Sequence, residues 1–105
     1  MKSFLLATSA SVLTLGAVAT ASADDAMALA TKSGCMACHQ VETKVVGPAY
    51  KDVAAKYKGQ ADALATLSAK VKAGGSGVWG PVPMPPNVNV SEEDIKTIVT
   101  WVLTL

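Results

Sequence analysis

The sequence predicts an all-α fold of four to five short helices, and three observations support this prediction. Apolar residues recur at helical spacing in several short segments that are separated by glycine or proline. No segment alternates apolar and polar residues over the length of a strand, so we expect no strands. A single group of sulfur and imidazole side chains lies just after the first helical segment, which suggests that the helices surround something bound there.

The first segment has the order of a cleavable secretory signal. Lys2 is followed by an apolar run over residues 4–19 and then by the small residues Ala21-Ser22-Ala23. A membrane anchor is the alternative, but the run contains serines and threonines and is shorter than the roughly 20 apolar residues that a span needs. We therefore expect cleavage after Ala23. This divides the chain into a signal peptide of residues 1–23 and one domain of residues 24–105, which we expect to lie outside the cytoplasm without stable membrane insertion.

The charge balance excludes one class of partner. The chain has nine lysines, no arginine and eight acidic residues, and removal of the signal with Lys2 leaves equal numbers of each sign. A protein whose main partner is nucleic acid would be basic, so we expect no nucleic-acid binding. A domain of this size is also close to the limit at which a hydrophobic core needs additional support, which a bound cofactor can supply.

The chemistry of the chain is concentrated in the stretch Cys35-Met36-Ala37-Cys38-His39. It has the C-x-x-C-H pattern of covalent c-type haem attachment, and it contains the only two cysteines and the only histidine in the chain. Each thiol can add across one haem vinyl group, and the two-residue spacing lets both sulfurs reach one porphyrin. The histidine after the second cysteine is then carried to the iron as an axial ligand. The pattern predicts one haem c bound through Cys35, Cys38 and His39.

The cysteine pair has three other possible roles, namely a redox centre, a zinc site and a disulfide. A thioredoxin-like redox centre expects a βαβ context, which is absent from the sequence pattern. A structural zinc site usually has four Cys or His ligands, and this chain has three in total. A plain disulfide is common in small secreted domains. Haem attachment accounts best for the adjacent histidine.

The first three helices are predicted from short apolar stripes. The first runs from Asp24 to Ser33, and Gly34 is either its C-terminal cap or a point of close approach by another helix. The second covers residues 50–57 and ends at Gly59. In the third, Asp62 is expected to cap the N-terminus, the apolar stripe consists of Leu64, Leu67 and Val71, and Gly74-Gly75 end the helix.

The last helix has the clearest signals. Ser91 is a good N-cap, and Glu92, Glu93 and Asp94 follow it in the first turn, where the helix dipole favours acidic side chains. We expect Trp101 in the core, beside a continuous apolar stripe made of Ile95, Ile98, Val99, Val102 and Leu103.

Residues 74–89 form a glycine- and proline-rich segment, which we interpret as a rigid loop rather than a flexible linker. It carries Met84 between prolines. Since His39 supplies only one axial position and no second histidine exists, the other position must hold Met, Lys, water or nothing. Met36 lies inside the attachment motif and Met27 on the motif's side of the chain, so we predict Met84 as the second iron ligand. A filled second position favours electron transfer over catalysis. The alternative is a haem enzyme or gas-binding sensor with a displaceable Met.

Four stretches together resemble the bacterial cytochrome c-551/c-552 family, which are short class I c-type cytochromes. They are the haem motif and three further segments: Val46-Gly47-Pro48-Ala49-Tyr50, the run from Gly77 to Asn87, and Trp101-Val102-Leu103. The resemblance extends over essentially all of residues 24–105. It implies the class I cytochrome c fold, wrapped around one covalent haem, and a monomeric periplasmic electron-transport protein that is not an enzyme.

The resemblance also implies roles for further residues. The Pro48 carbonyl would accept a hydrogen bond from the second ring nitrogen of His39. Trp79 and Lys70 would contact a haem propionate, and Asn87 would form a hydrogen bond near the Met84 sulfur. Relatives commonly have a bulky residue at the position of Ala30, so the contact between the first and last helices must here come from smaller groups, with Met27 or Leu29 compensating.

The implied partners are redox proteins of a respiratory chain. The donor would be a quinol-oxidising cytochrome complex, and the acceptor a terminal oxidase, a haem-cd nitrite reductase or a cytochrome c peroxidase. We expect docking through a small apolar patch at an exposed haem edge. Its rim would be formed by some of the lysines Lys32, Lys44, Lys51, Lys56, Lys58, Lys70 and Lys72.

Overall fold

The computed structural model describes residues 22–105, so most of the predicted signal peptide lies outside the described residues. The described chain forms four α-helices, which confirms the predicted fold class. They are α1 (Ala23–Lys32), α2 (Tyr50–Tyr57), α3 (Ala63–Ala73) and α4 (Glu92–Val102), and a 3₁₀ turn covers Cys35–Ala37. Within residues 22–105, none of the helices has both the length and the apolar character needed to cross a membrane.

The prediction that the chain has no strands is wrong. After α3 the chain forms a small antiparallel hairpin of β1 (Gly75–Gly77) and β2 (Gly80–Met84), in which Gly75 pairs with Met84 and Gly77 with Gly80. The register is irregular between the two pairs. Pro81 and Pro83 cannot donate hydrogen bonds, but a strand at a sheet edge tolerates them. The glycines and prolines that concealed the strand from a sequence pattern therefore do not prevent it.

Helix α4 is the central element of the core. It packs against α1, α2 and α3, and its inward stripe is buried as predicted: Ile95, Ile98, Val99, Trp101 and Val102. At its start the Ser91 hydroxyl accepts a hydrogen bond from the Asp94 backbone N–H at 3.1 Å, which confirms the predicted cap.

The contact between α1 and α4 uses small residues. Ala26 and Ala30 are both fully buried, and the partly buried Met27 and Leu29 pack against the same core. Short side chains let two helix backbones lie close together, so the contact that bulkier side chains would make is replaced by closer packing plus the flanking Met and Leu.

Three local predictions for α1 and α3 are now decided. Gly34 has φ +84° and open space where a Cβ would lie, so it is a C-terminal cap and not a point of close approach. Asp62 stands before α3 but its side chain makes no capping hydrogen bond. Leu64 was predicted in the buried stripe and is instead 38 % exposed, while Ala63 is buried. Leu67 is buried and the partly buried Val71 packs against the core as predicted, so only the first member of the stripe differs.

Candidate haem site

The attachment motif folds as a tight turn that gathers its three ligand-bearing residues. Gly34 reverses the chain after α1, and the backbone N–H groups of Cys38 and His39 both donate to the Cys35 carbonyl, at 3.2 and 3.0 Å. Residues three and four positions apart then share one face of the turn. Cys35, Cys38 and His39 accordingly line a single cavity, and the two cysteines do not form a disulfide with each other. Burial raises the pKa of the Cys35 thiol.

The His39 imidazole is fixed on two sides by residues 47 and 48. Its Nδ1–H donates to the Pro48 carbonyl oxygen at 2.7 Å, which is the contact that the resemblance implied. Since a carbonyl can only accept, the proton is on Nδ1, and Nε2 keeps the lone pair that a metal needs. A Cβ at Gly47 would lie 2.5 Å from the His39 Cε1, so only glycine leaves room for the ring. The sequence analysis predicted the role of Pro48 but not that of Gly47, because a glycine has no side chain that would mark it.

Tyr50 is a site residue that the sequence analysis placed only in an apolar stripe. Its ring stacks on His39 with centroids 4.9 Å apart and an angle of 20° between planes, and its other side meets Trp101 edge-on at 5.7 Å. Burial raises the pKa of the Tyr50 hydroxyl. The sequence signal that could have identified Tyr50 as a site residue is its position two residues after Pro48. Because Pro48 is bound to His39, the first turn of α2 must begin close to the imidazole.

The N-terminus of α2 is itself attached to the haem motif. The backbone N–H groups of Tyr50 and Lys51 donate to the carbonyls of Gln40 and Val41, at 2.9 and 3.0 Å. These donors would otherwise have no partner within the helix. The carbonyls just after the motif therefore position α2, and with it Tyr50, relative to the imidazole.

Most of the predicted site residues surround one cavity of about 500 Å³. The helices contribute apolar walls from Val53, Leu67, Ile98 and Val99. Met84, at the end of β2, lines the same cavity, whereas Met27 and Met36 do not. The predicted site residues that line it are Cys35, Cys38, His39, Pro48, Lys70, Trp79 and Met84.

Asn87 is the predicted site residue that does not line the cavity. Its side-chain Nδ2 donates to the Val71 carbonyl at 3.0 Å and, more weakly, to the Pro85 carbonyl at 3.4 Å, and its backbone N–H also donates to Val71. Asn87 thus ties the segment after Met84 to the last turn of α3.

Trp79 lies at the mouth of the cavity rather than in the core. Trp79 as a whole residue is 39 % exposed, and the Lys56 ammonium lies 5.4 Å from the centroid of its ring. This cation–π contact links α2 to the hairpin across the mouth. Four valines that are about half exposed also line the cavity: Val45, Val46, Val78 and Val82.

The residues present fit a covalent haem. The cavity is large and has mainly apolar walls, two cysteines lie on one turn, and the His39 Nε2 is available, so these residues would supply the covalent attachment and an imidazole ligand for the iron. Among the described residues, no three His, Cys, Asp or Glu side chains form a group able to hold a metal ion directly, as the zinc interpretation requires.

Comparison with known proteins agrees with this site. The family model described as cytochrome c matches residues 23–105. The chain is 57 % identical over 106 residues to cytochrome c-552 of Nitrosomonas europaea, covering 100 % of this chain and 99 % of that protein. It is 55 % identical over 82 residues to cytochrome c-551 of Pseudomonas aeruginosa, covering 78 % of each.

A solved structure shows the same fold. The crystal structure of wild-type Nitrosomonas europaea cytochrome c552 superimposes with a TM-score of 0.73 at 62 % sequence identity, covering 75 % of this chain and 98 % of that one. The chain therefore belongs to the cytochrome c family, among the bacterial cytochromes c-551 and c-552.

Proposed function

We propose that the protein is a periplasmic electron shuttle whose single haem iron is ligated by His39 and Met84. As a c-type cytochrome it carries haem c through Cys35 and Cys38 and is an electron carrier, not an enzyme. The observation that supports the ligand pair is that Met84 is the one methionine of the described chain that lines the cavity with His39.

The haem supplies a one-electron Fe(III)/Fe(II) couple, and the surrounding residues determine how it is used. Pro48 orients His39 through the Nδ1 hydrogen bond and increases the basicity of Nε2. A thioether at Met84 is a soft ligand that favours the reduced state. If His39 and Met84 both hold the iron, the protein would leave no ligand position open to a substrate. The alternative of a haem enzyme or gas sensor is not favoured by relatives that are cytochromes c-551, c-552 and c2.

We further propose that Trp79 and Lys70 contact a haem propionate and that Asn87 acts near the Met84 sulfur. Trp79 and Lys70 both lie on the cavity wall, and Lys70 is a cation that can neutralise a carboxylate. Asn87 is bound to the carbonyls of Val71 and Pro85 next to Met84, so it supports the ligand through the backbone.

The ligand assignment is tested by replacing sulfur with carbon at nearly constant volume. Met84→Leu should abolish the Met–iron charge-transfer band of the ferric protein and lower the reduction potential, because the soft ligand is lost. Met27→Leu is the matched control on α1 and should change neither. An unchanged band in Met84→Leu would remove Met84 from the ligand role, and rapid binding of carbon monoxide by the native ferrous protein would support the sensor alternative.

We propose that the protein is exported, that its signal peptide is cleaved after Ala23, and that it exchanges electrons as a monomer.

The donor would be a quinol-oxidising cytochrome complex, and the acceptor a terminal oxidase, a haem-cd nitrite reductase or a cytochrome c peroxidase. The half-exposed valines of the cavity wall, with Lys44 and Lys70 on the same wall and Lys56 against the Trp79 ring, suit a small docking patch. The rate of electron exchange should fall as salt screens these lysines, and a rate independent of ionic strength would argue against charge steering.

A further inference from the structure

The last turn of α3 contacts the chain around Met84 at three successive places. Gly74 packs on residues 84–86, the Val71 carbonyl binds Asn87, and Lys72 binds the carbonyls of residues 88 and 90. We propose that Gly74 and Lys72 are positioning residues that hold the Met84 segment, residues 84–90, in place and so slow the dissociation of Met84 from the iron. This inference rests on the proposed function in that it takes Met84 as the ligand.

Gly74 is required by space as well as by backbone conformation. Its φ of +70° favours glycine, and a Cβ there would overlap the Met84 carbonyl oxygen and lie 2.8 Å from the Pro86 nitrogen and 2.9 Å from the Pro85 carbonyl carbon. These are backbone atoms, which cannot rotate away as the end of a side chain can. Any side chain at position 74 would therefore displace the segment that carries Met84.

Lys72 is fixed by the segment rather than free at the surface. Its ammonium donates to the Val90 carbonyl at 2.7 Å and, more weakly, to the Val88 carbonyl at 3.4 Å. Lys72 was among the lysines expected at the rim of the docking patch. In the structure its ammonium is used in these two hydrogen bonds within the protein. A charged donor makes a stronger hydrogen bond to a carbonyl than a neutral one does.

The chain immediately around Met84 has few backbone donors of its own. Pro81, Pro83, Pro85 and Pro86 have no backbone N–H, so the chain on both sides of Met84 offers mainly carbonyls. Its pairing with β1 involves only a short strand with an irregular register. Lysine has three donors and no acceptor, so Lys72 can bind the Val88 and Val90 carbonyls of the segment together.

The role of Lys72 is tested on the ferric holoprotein with excess imidazole, where the limiting rate of ligand exchange is the rate at which Met84 leaves the iron. Lys72→Leu keeps an apolar stem and removes the donors, and should raise this rate about threefold to tenfold. Lys72→Arg should restore a rate near that of the wild type. Lys96→Leu makes the same charge change at an exposed position of α4 and should leave the rate unchanged.

Amide hydrogen exchange supplies an independent readout of the anchor. In Lys72→Leu the Asn87 and Val90 amides, which donate to Val71 and to Asn87, should exchange faster, while those inside α4 keep their protection. Faster amide exchange with an unchanged imidazole rate would overturn the proposal, because the segment would then be held without affecting Met84. Unchanged values in both measurements would overturn it as well.

Gly74 is tested against Gly59, a glycine with a similar φ angle and open space at its Cβ position. Gly74→Ala should raise the imidazole exchange rate and weaken the Met–iron band, whereas Gly59→Ala, with φ +80° and nothing within 4 Å of its Cβ, should only reduce stability. Equal exchange rates in the two variants would overturn the role of Gly74. Failure of the proposed function is distinguishable, because the wild-type ferric protein would then lack the Met–iron band altogether.

Discussion

At the scale of single residues, the position of the His39 ring depends on the missing side chain of Gly47 and on the backbone carbonyl of Pro48. Gly47 leaves the space that the His39 ring occupies, and Pro48 supplies a carbonyl to Nδ1. Neither residue carries a functional side chain, so a sequence pattern identifies them only as turn residues. Their roles follow from where the imidazole lies once the chain has turned back on itself.

The first prediction concerns Gly47. In Gly47→Ala the new methyl would overlap the imidazole, so the ring or the backbone must move and the Nδ1–Pro48 hydrogen bond should lengthen. Overpacking of this kind costs about 1–3 kcal/mol. We expect a lower free energy of unfolding in denaturant titrations and a shifted reduction potential. Gly59→Ala is the control for a stability loss without a change at the iron, and a Gly47→Ala protein with native potential would contradict this account of position 47.

At the scale of elements, the N-terminus of α2 is connected to the haem motif, and the C-terminus of α3 is connected to the segment that carries Met84. The first turn of α2 is held by the carbonyls of Gln40 and Val41, and the last turn of α3 contacts the Met84 segment. The small hairpin delivers Met84 to the cavity wall. Contacts at their ends therefore position α2 and α3, while α4 supplies the apolar stripe against which both helices pack.

The second prediction concerns the N-cap of α4. Ser91→Ala removes the acceptor for the Asp94 N–H and should lower the free energy of unfolding by about 1 kcal/mol. Ser91→Asn keeps an acceptor and should stay close to the wild type. The reduction potential should not change in either variant, because the cap lies outside the cavity wall. Equal stability of the alanine and asparagine variants would show that the cap contributes nothing.

At the scale of the whole molecule, the haem cavity occupies the space that apolar side chains fill in the centre of an ordinary hydrophobic core. A volume of about 500 Å³ lies among α2, α3, α4 and the hairpin, in a domain whose apolar residues are divided among short helices. Without a group filling the cavity, its walls lose contacts on one side. Haem binding and folding are therefore expected to be coupled in this protein.

The third prediction follows from that coupling. A Cys35→Ser/Cys38→Ser variant cannot form thioether bonds and should lose most of its helical circular-dichroism signal and its cooperative unfolding when prepared without haem. Met36→Leu, made inside the same motif, should retain covalent haem and the helical signal. A haem-free variant that kept native helicity and a sharp unfolding transition would contradict the coupling.

Patterns among neighbouring residues were sufficient to predict much of the fold and of the haem site. Ser91 with the following acids, the apolar stripe of α4 and the Cys35-to-His39 motif each depend on neighbours along the chain, so helical period and ligand spacing reveal them directly. The predicted stripe of α3 was wrong only at its first member, Leu64, which is exposed while the neighbouring Ala63 is buried.

The sequence by itself therefore determined the all-α class, the haem-attachment ligands and the choice of Met84 as the candidate second ligand. Only the tertiary structure decided the hairpin, the stacking of Tyr50 on His39, the space kept by Gly47 and Gly74, and the bonding of Lys72 to the segment after Met84. The physical reason is the range of the contacts. Helix periodicity and ligand spacing are set within a few residues, whereas these features join residues that are distant in the chain or use backbone atoms common to every residue type.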